Sequence, residues 1–235
     1  MLQQIKEFKK SFFHLVYPEL CIACNKHLPD TNDMFCLDCF TELPFYNFNN
    51  FKNNEFTEHF KGKFNLEYGV AMFYFVKSGK IQNIIKQFKY HGKDNYAVKM
   101  GELFGKLFVE TDFAKNIDII VPVPLHPKKE AIRGYNQSEK FASGISKTMN
   151  IPINSTNLIR IKNTITQTKM NNESRIKNMQ NAFSLIDSDL FVGKHILIVD
   201  DVLTTGSTLY ECAKILDQIE GTKISMATIA IGDLI

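Results

Sequence analysis

The run Ile196-Leu197-Ile198-Val199-Asp200-Asp201-Val202-Leu203-Thr204-Thr205-Gly206-Ser207-Thr208 leaves this chain few folds to choose from. Four successive apolar residues, rich in β-branching, suit a strand covered on both faces, as in a parallel sheet. Leu209, Cys212, Ala213 and Leu216 then recur at helical spacing, so a small-residue turn joins the strand to a helix. Backbone N–H groups at a helix start, with hydroxyls beside them, form an anion site suited to phosphate. Gly206 lets the backbone approach such a ligand closely. Asp200 and Asp201, at the carboxyl end of the strand, can reach ribose hydroxyls or hold Mg²⁺ on the same ligand. The combination points to a sugar phosphate. A plain strand–turn–helix with one hydroxyl as N-cap would not need five loop residues beside two acids. The run is not a Walker A loop: Gly193-Lys194 has Ser188 where the upstream glycine belongs, and His195 follows it.

The rest of the chain fits this unit into an α/β fold. Val70 to Val76 and Ile117 to Val123 read as strands, and Lys223 to Ile231 as a last one. Between them Ile81, Ile84, Ile85 and Phe88 mark one helix, and Tyr96, Met100, Leu103, Phe104 and Leu107 a second. Phe141, Ala142 and Ile145 mark a third, from about Asn136 to Met149. Strands alternating with helices predict a mainly parallel sheet with right-handed crossovers. Ligands bind such sheets beyond the strand carboxyl ends, where Asp200, Asp201 and Pro124 fall. With 44% hydrophobic residues and 20 Phe, the 235-residue chain has enough apolar material for a real core.

Four of the five cysteines are spaced Cys21-x2-Cys24-x11-Cys36-x2-Cys39. Two such knuckles complete a tetrahedral Zn²⁺ site, and four thiolates leave no open position for catalysis. His27 could replace a cysteine ligand but reads first as an ordinary turn residue, and Cys212 as a small core residue of the helix after the loop. No apolar run reaches the roughly 18 residues that span a bilayer. Ser11 to Val16 is too short and polar for a signal-peptide core. Ile5, Phe8, Phe12 and Leu15 instead share one face of a short helix that ends near Pro18. These features predict a cytoplasmic protein, with a helix and zinc module over residues 1–45 and the α/β domain over 46–235. The Asn- and Phe-rich stretch Phe45 to Phe56 is read as cover for an edge of that domain rather than as a base-stacking surface.

Net charge is +3, but unevenly placed. From Lys128 to Gln180 ten Lys/Arg stand against three Glu, an excess of +7 that suits pyrophosphate or nucleic acid. Lys140, Lys147 and Lys162 read as ordinary solvated residues. Val121-Pro122-Val123-Pro124-Leu125-His126-Pro127 leaves a strand as a proline-fixed loop, and Arg133-Gly134-Tyr135-Asn136-Gln137 opens the next helix. Together they can hold a pyrophosphate, with Arg133 as the cationic clamp; a surface ion pair is the other reading of Arg133. His126 is read as a hydrogen-bonded loop residue ahead of a general base. The polar, basic stretch from Leu158 to Asn178 suits a lid over the site.

The 196–208 run resembles the phosphoribosyl-pyrophosphate (PRPP) signature of type I phosphoribosyltransferases. That resemblance implies that Asp200 and Asp201 bind the ribose hydroxyls while Thr204, Thr205, Gly206, Ser207 and Thr208 hold the 5′-phosphate. The wider chain resembles the ComF family of competence proteins. It has the four-cysteine module, Lys89-Tyr90-His91-Gly92, the 121–127 and 133–137 segments, then Gln167-Thr168, Arg175, Asn178 and the PRPP loop, in that order. Lys162 stands where the family often has Arg, and Tyr135 where Phe is common. The resemblance implies a type I phosphoribosyltransferase sheet with a small zinc module. It extends the ligand contacts to Pro124, Leu125, Gln137, Gln167 and Arg175, with Mg²⁺ alongside PRPP. It also implies a helper of natural transformation that handles incoming single-stranded DNA together with proteins of the competence machinery. The alternative is a working phosphoribosyltransferase acting on a nucleobase or amine, with Asp200, Asp201 and Arg133 as its catalytic groups.

Overall fold

The computed structural model describes residues 20–28, 34–47, 49–77, 79–88, 94–162 and 181–232. Four parallel strands form its centre: β1 (Leu66–Tyr74), β2 (Ile119–Pro122), β5 (His195–Leu203) and β6 (Lys223–Ile231), in the spatial order β1-β6-β5-β2. Ile196 of β5 lies between Ile119 and Ile224 of its neighbours. Successive residues of each strand serve opposite faces, as the pleat requires. Leu197 and Val199 of β5 join the core on one side, whereas Ile196 and Ile198 join the core on the other. Such a doubly covered strand has no polar face, which is why its sequence is a continuous apolar run rather than an alternating one.

One face is covered by α4 (Asp94–Phe108) and α7 (Gln137–Met149). These helices cross in close contact because glycines meet there: a Cβ on Gly101 would stand 2.0 Å from the Phe141 carbonyl oxygen. Lys140–Asp94 at 3.3 Å and Lys147–Glu102 at 2.6 Å join the two helices, so both lysines carry ion pairs where the sequence suggested plain solvation. The opposite face carries α8 (Ser207–Leu216), with Leu209, Cys212, Ala213 and Leu216 all buried, and an antiparallel pair, β3 (Leu158–Arg160) with β4 (Phe183–Leu185). That pair places residues 158–160 in a strand, where the sequence suggested the start of a lid.

The cysteine knuckles, with α1 (Leu37–Thr41), pack into the first core through Cys21, Ile22, Leu28, Met34, Phe35, Cys39 and Leu43. Gln87 Nε2, at the end of α3 (Lys80–Gln87), donates to the Ile22 carbonyl at 2.7 Å. The stretch after the knuckles covers the free edge of β1, as expected. The Tyr46 N–H donates to the Met72 carbonyl at 2.9 Å, and the Tyr74 N–H to that of Pro44 at 2.8 Å. Pairing of this kind removes an exposed strand edge. The same stretch leads into α2 (Glu55–Phe60), which the sequence reading missed although Asn54 and Thr57 form a capping box there. The short helices α5 (Asp112–Lys115) and α6 (Pro127–Arg133) complete the described elements with a 3₁₀ turn, Asp189–Phe191. The lead-in helix expected near residues 5–15 and the Lys89–Gly92 segment lie outside the described residues. No helix among the described residues is long and apolar enough to cross a membrane.

Candidate functional site

Strand β5 runs through Leu203, so both acids belong to the strand and not to the turn after it. Asp200 pairs in register with Thr228 at the carboxyl end of the sheet. Its Oδ1 accepts from Ser138 Oγ at 2.9 Å and from the Asp201 N–H at 2.8 Å. Ser138 reaches it because Asn136 fixes the start of α7. The Asn136 side chain accepts from the Ser138 N–H at 3.1 Å and donates to the Val123 carbonyl, just beyond β2, at 3.0 Å. Burial pushes the Asp200 carboxyl up to about 7, helped by the Asp201 carboxylate; the two hydrogen bonds and Arg160 work against the rise.

Beyond β5, Thr204 is exposed, Thr205 and Thr208 are half-buried, and Gly206 and Ser207 are buried. Gly206 has φ +69°, in the left-handed region that favours glycine. Thr205 Oγ1 and Ser207 Oγ lie 2.9 Å apart across the turn. The N-cap of α8 is Gly206, which has no side chain to cap it, so the first N–H groups lack the usual acceptor from that position. This is the local structure of a phosphate cradle.

The third part comes from the exit of β2. Pro124 is buried and Leu125 half-buried. They lead into α6, whose N-cap is the His126 ring: Nδ1 accepts the Lys128 N–H at 3.2 Å. His126 is thus a capping residue, and burial together with Arg160, Lys128 and Lys129 lowers its pKa. Gly134, at φ +87°, ends the helix and turns the chain into α7. Arg133 donates to Gln137 Oε1 at 2.8 Å, and among the described residues it joins no ion pair. Gln137 Nε2 is buried without a hydrogen-bond partner among the described residues. A buried amide donor left unpaired costs about 1–3 kcal/mol, so it stands ready for a ligand oxygen.

Two site residues escaped the sequence reading. Ser138 looked like one more polar helix residue, and its contact with Asp200 bridges 62 positions. Arg160 had been assigned to the lid. Its guanidinium instead lies 5.4 Å over the Phe183 ring, and its electrostatic neighbours are Asp200 and Arg133. The alternation Leu158-Ile159-Arg160 carried the signal, because it places Arg160 on the same side of β3 as buried Leu158. Gln167 and Arg175 lie outside the described residues.

At the other end of the chain, the Sγ atoms of Cys21, Cys24, Cys36 and Cys39 all lie within 4.8 Å of one another. Cys24 and Cys36 are 3.7 Å apart. Zn–S bonds of about 2.3 Å in a tetrahedron require sulfur separations of about 3.8 Å, so the donor set fits a thiolate-bound metal. His27 is exposed and lies outside this cluster.

Comparison with known proteins agrees with this geometry. Residues 136–232, from the α7 cap through β6, match the phosphoribosyl transferase domain. The chain is 29% identical over 212 residues to Competence protein F of Haemophilus influenzae, covering 86% of each chain. It is 40% identical over 100 residues to the DNA utilization protein YhgH of Escherichia coli, covering 42% of this chain and 43% of that one. It is also 25% identical over 140 residues to Competence protein ComFC of Bacillus subtilis, covering 58% and 53% respectively. A parallel sheet with two acids at its carboxyl edge, preceded by a four-cysteine cluster, thus carries a phosphoribosyl transferase domain over residues 136–232, in a chain similar over most of its length to Competence protein F.

Proposed function

We propose that the chain binds PRPP, or a related 5′-phosphorylated ribose, and assists the handling of single-stranded DNA in natural transformation. The observation that carries the ligand is the pair Asp200 and Asp201 set directly before the uncapped start of α8. Asp200 and Asp201 take the ribose hydroxyls. Thr204, Thr205, Gly206, Ser207 and Thr208 take the 5′-phosphate. Pro124, Leu125, Arg133 and the unpaired Gln137 amide take the pyrophosphate, and Gln167 and Arg175 are expected to complete that end. Asp200 and Asp201 are the residues that would hold Mg²⁺ together with the ligand, where it would supply charge neutralisation. The cysteine cluster holds a structural Zn²⁺. Its reduced thiols suit the cytoplasm, where we place the work.

The DNA side rests on the names of the relatives and on charge. Lys128, Lys129 and Arg160 act on His126 at the start of α6, and Arg160 also faces Arg133 and Asp200. None of the α6 residues is buried, so this capped helix leaves its basic side chains available to a polyanion. Calorimetry with PRPP and Mg²⁺ tests the ligand, comparing the native chain with Asp200→Ala/Asp201→Ala. Binding lost in the double variant supports the reading, and no binding by the native chain rejects it.

One observation favours turnover as a second reading: a carboxyl titrating near neutrality can hold or release a proton during reaction. In that reaction the ribose C1–O bond breaks and its electron pair leaves with pyrophosphate. A nitrogen of the nucleobase or amine acceptor forms the new C1 bond and loses its proton to a base. Asp200 and Asp201 hold the ribose while Arg133 steadies the leaving group. Pyrophosphate release that depends on an added base or amine is the expected sign, and none with any acceptor sinks this reading.

A further inference from the structure

The phosphate cradle is backed by a residue from far outside the matched domain. His59, the penultimate residue of α2, is half-buried with its Nε2 3.1 Å from the Thr205 carbonyl oxygen. Its ring packs edge-on against Phe60, with centroids 5.1 Å apart. A Cβ on Gly206 would lie 2.7 Å from His59 Nε2 and 3.0 Å from Phe60 Cζ. The two side chains thus lie flush against the backbone of the turn, and glycine is needed there for space as well as for its positive φ.

The peptide joining Thr205 to Gly206 is trans, as are all the described bonds. In a trans peptide the C=O and the following N–H point to opposite sides. A hydrogen bond that holds the Thr205 carbonyl toward α2 therefore aims the Gly206 N–H away from α2, into the mouth of the turn. Because the Thr205 oxygen can only accept, Nε2 carries the hydrogen. A neutral ring with that tautomer suffices, and burial does favour the neutral form here.

We propose that His59 is a positioning residue of the sugar-phosphate site, orienting the Thr205–Gly206 peptide so that its N–H donates to the 5′-phosphate. This rests on the reading of residues 204–208 as the phosphate cradle. It extends the site to the segment before β1, and so makes the N-terminal half of the chain part of ligand binding as well as cover for a sheet edge.

The test compares the full native chain with His59→Leu, which removes the donor, and His59→Gln, whose amide carries N–H donors at a similar reach. The probes are ribose 5-phosphate and inorganic pyrophosphate, with affinities measured by calorimetry and folding checked by circular dichroism. His59→Leu should weaken ribose 5-phosphate about tenfold, the size of one oriented hydrogen bond to a charged group. His59→Gln should restore most of that loss, and pyrophosphate should move less than about threefold in either variant. Equal ribose 5-phosphate affinity in the native chain and His59→Leu overturns the inference while the cradle reading stands. Equal weakening of both probes, without rescue by Gln, marks His59 as a packing residue only and also overturns it. Native protein that binds pyrophosphate but not ribose 5-phosphate removes the cradle reading itself, and the inference with it.

Discussion

Asp200→Asn should stabilise the protein at pH 8 while weakening its ligand. Asparagine keeps an oxygen where the carboxylate now accepts from Ser138 and from the Asp201 N–H, so both contacts survive the change. Charge is what differs. Burial first, and then Asp201, raises the carboxyl from 3.8 to about 7. A carboxyl with a raised folded pKa binds its proton more tightly in the folded state. Its contribution is therefore favourable in full below about pH 4 and is lost as pH rises through 7. At about 1.4 kcal/mol per pKa unit the full shift corresponds to about 4 kcal/mol. Asp200 is half-buried and solvent reaches the cleft, so about 2 kcal/mol is the working figure after screening. In a chain of this length 1 kcal/mol moves Tm by about 2–4 °C. The variant should thus melt about 4–8 °C higher than the native chain at pH 8, and within about 1 °C of it at pH 4. Differential scanning calorimetry at both pH values, without ligand, reads this directly. A gain of equal size at both, or a loss at pH 8, would refute the electrostatic account of Asp200.

Arg160→Met removes the cation that faces Asp200. It should move the fall of stability with pH to higher pH and weaken PRPP, as read from Tm between pH 5 and 8 and from calorimetry. Gly206→Ala forces a side chain into a left-handed position, at a cost of about 1–2 kcal/mol. It also sets a methyl group against His59, so ribose 5-phosphate affinity should fall at least about tenfold. Lys128→Gln/Lys129→Gln should weaken single-stranded DNA and flatten the salt dependence of its binding by about 1–2 in log–log slope, measured by fluorescence anisotropy. PRPP affinity should change little in that variant, and an unaltered salt slope would remove α6 from the DNA surface.

What the sequence made legible was local. The strand, acids, turn and helix of residues 196–216 lie next to one another in the chain, and each step uses residue types suited to one conformation. The knuckle spacing works in the same way, because two residues between cysteines suffice to turn a backbone around a metal. What stayed hidden depends on residues far apart. Ser138 meets Asp200 only because Asn136 ties the start of α7 to the exit of β2. Arg160 gains its place from the pairing of β3 with β4 across a gap of more than twenty residues. His59 sat in a stretch without periodicity, and only the fold carries its ring to residue 205. Helix α6 was unreadable for another reason: it buries none of its residues, so no apolar stripe betrays it, and its caps alone define it.

The two ends of the proposed site are anchored to different cores, and this gives metal removal a specific signature. The cradle rests on Phe60 and Leu209, members of the core on the α8 side. The pyrophosphate end is tied to the other core, because Tyr135, between Arg133 and Gln137, donates its hydroxyl to the Phe88 carbonyl at 2.5 Å. Phe88 caps α3, and Gln87 beside it holds Ile22 of the knuckle. With a metal bound, the cysteines would brace α3, α3 would brace Tyr135, and Tyr135 would fix the segment carrying the proposed clamp. Stripping the metal with a chelator frees the knuckle, and seven buried residues of the first core lose their frame. Tm should fall by at least about 5 °C, since structural zinc contributes several kcal/mol to folding. Below that new Tm, pyrophosphate affinity should drop more than ribose 5-phosphate affinity, because only the former end hangs on the braced helix. Calorimetry on chelated and zinc-restored protein measures both. A uniform loss for the two ligands would mean that the cores are not separable, and an unchanged Tm would mean that the cysteines hold nothing the fold needs.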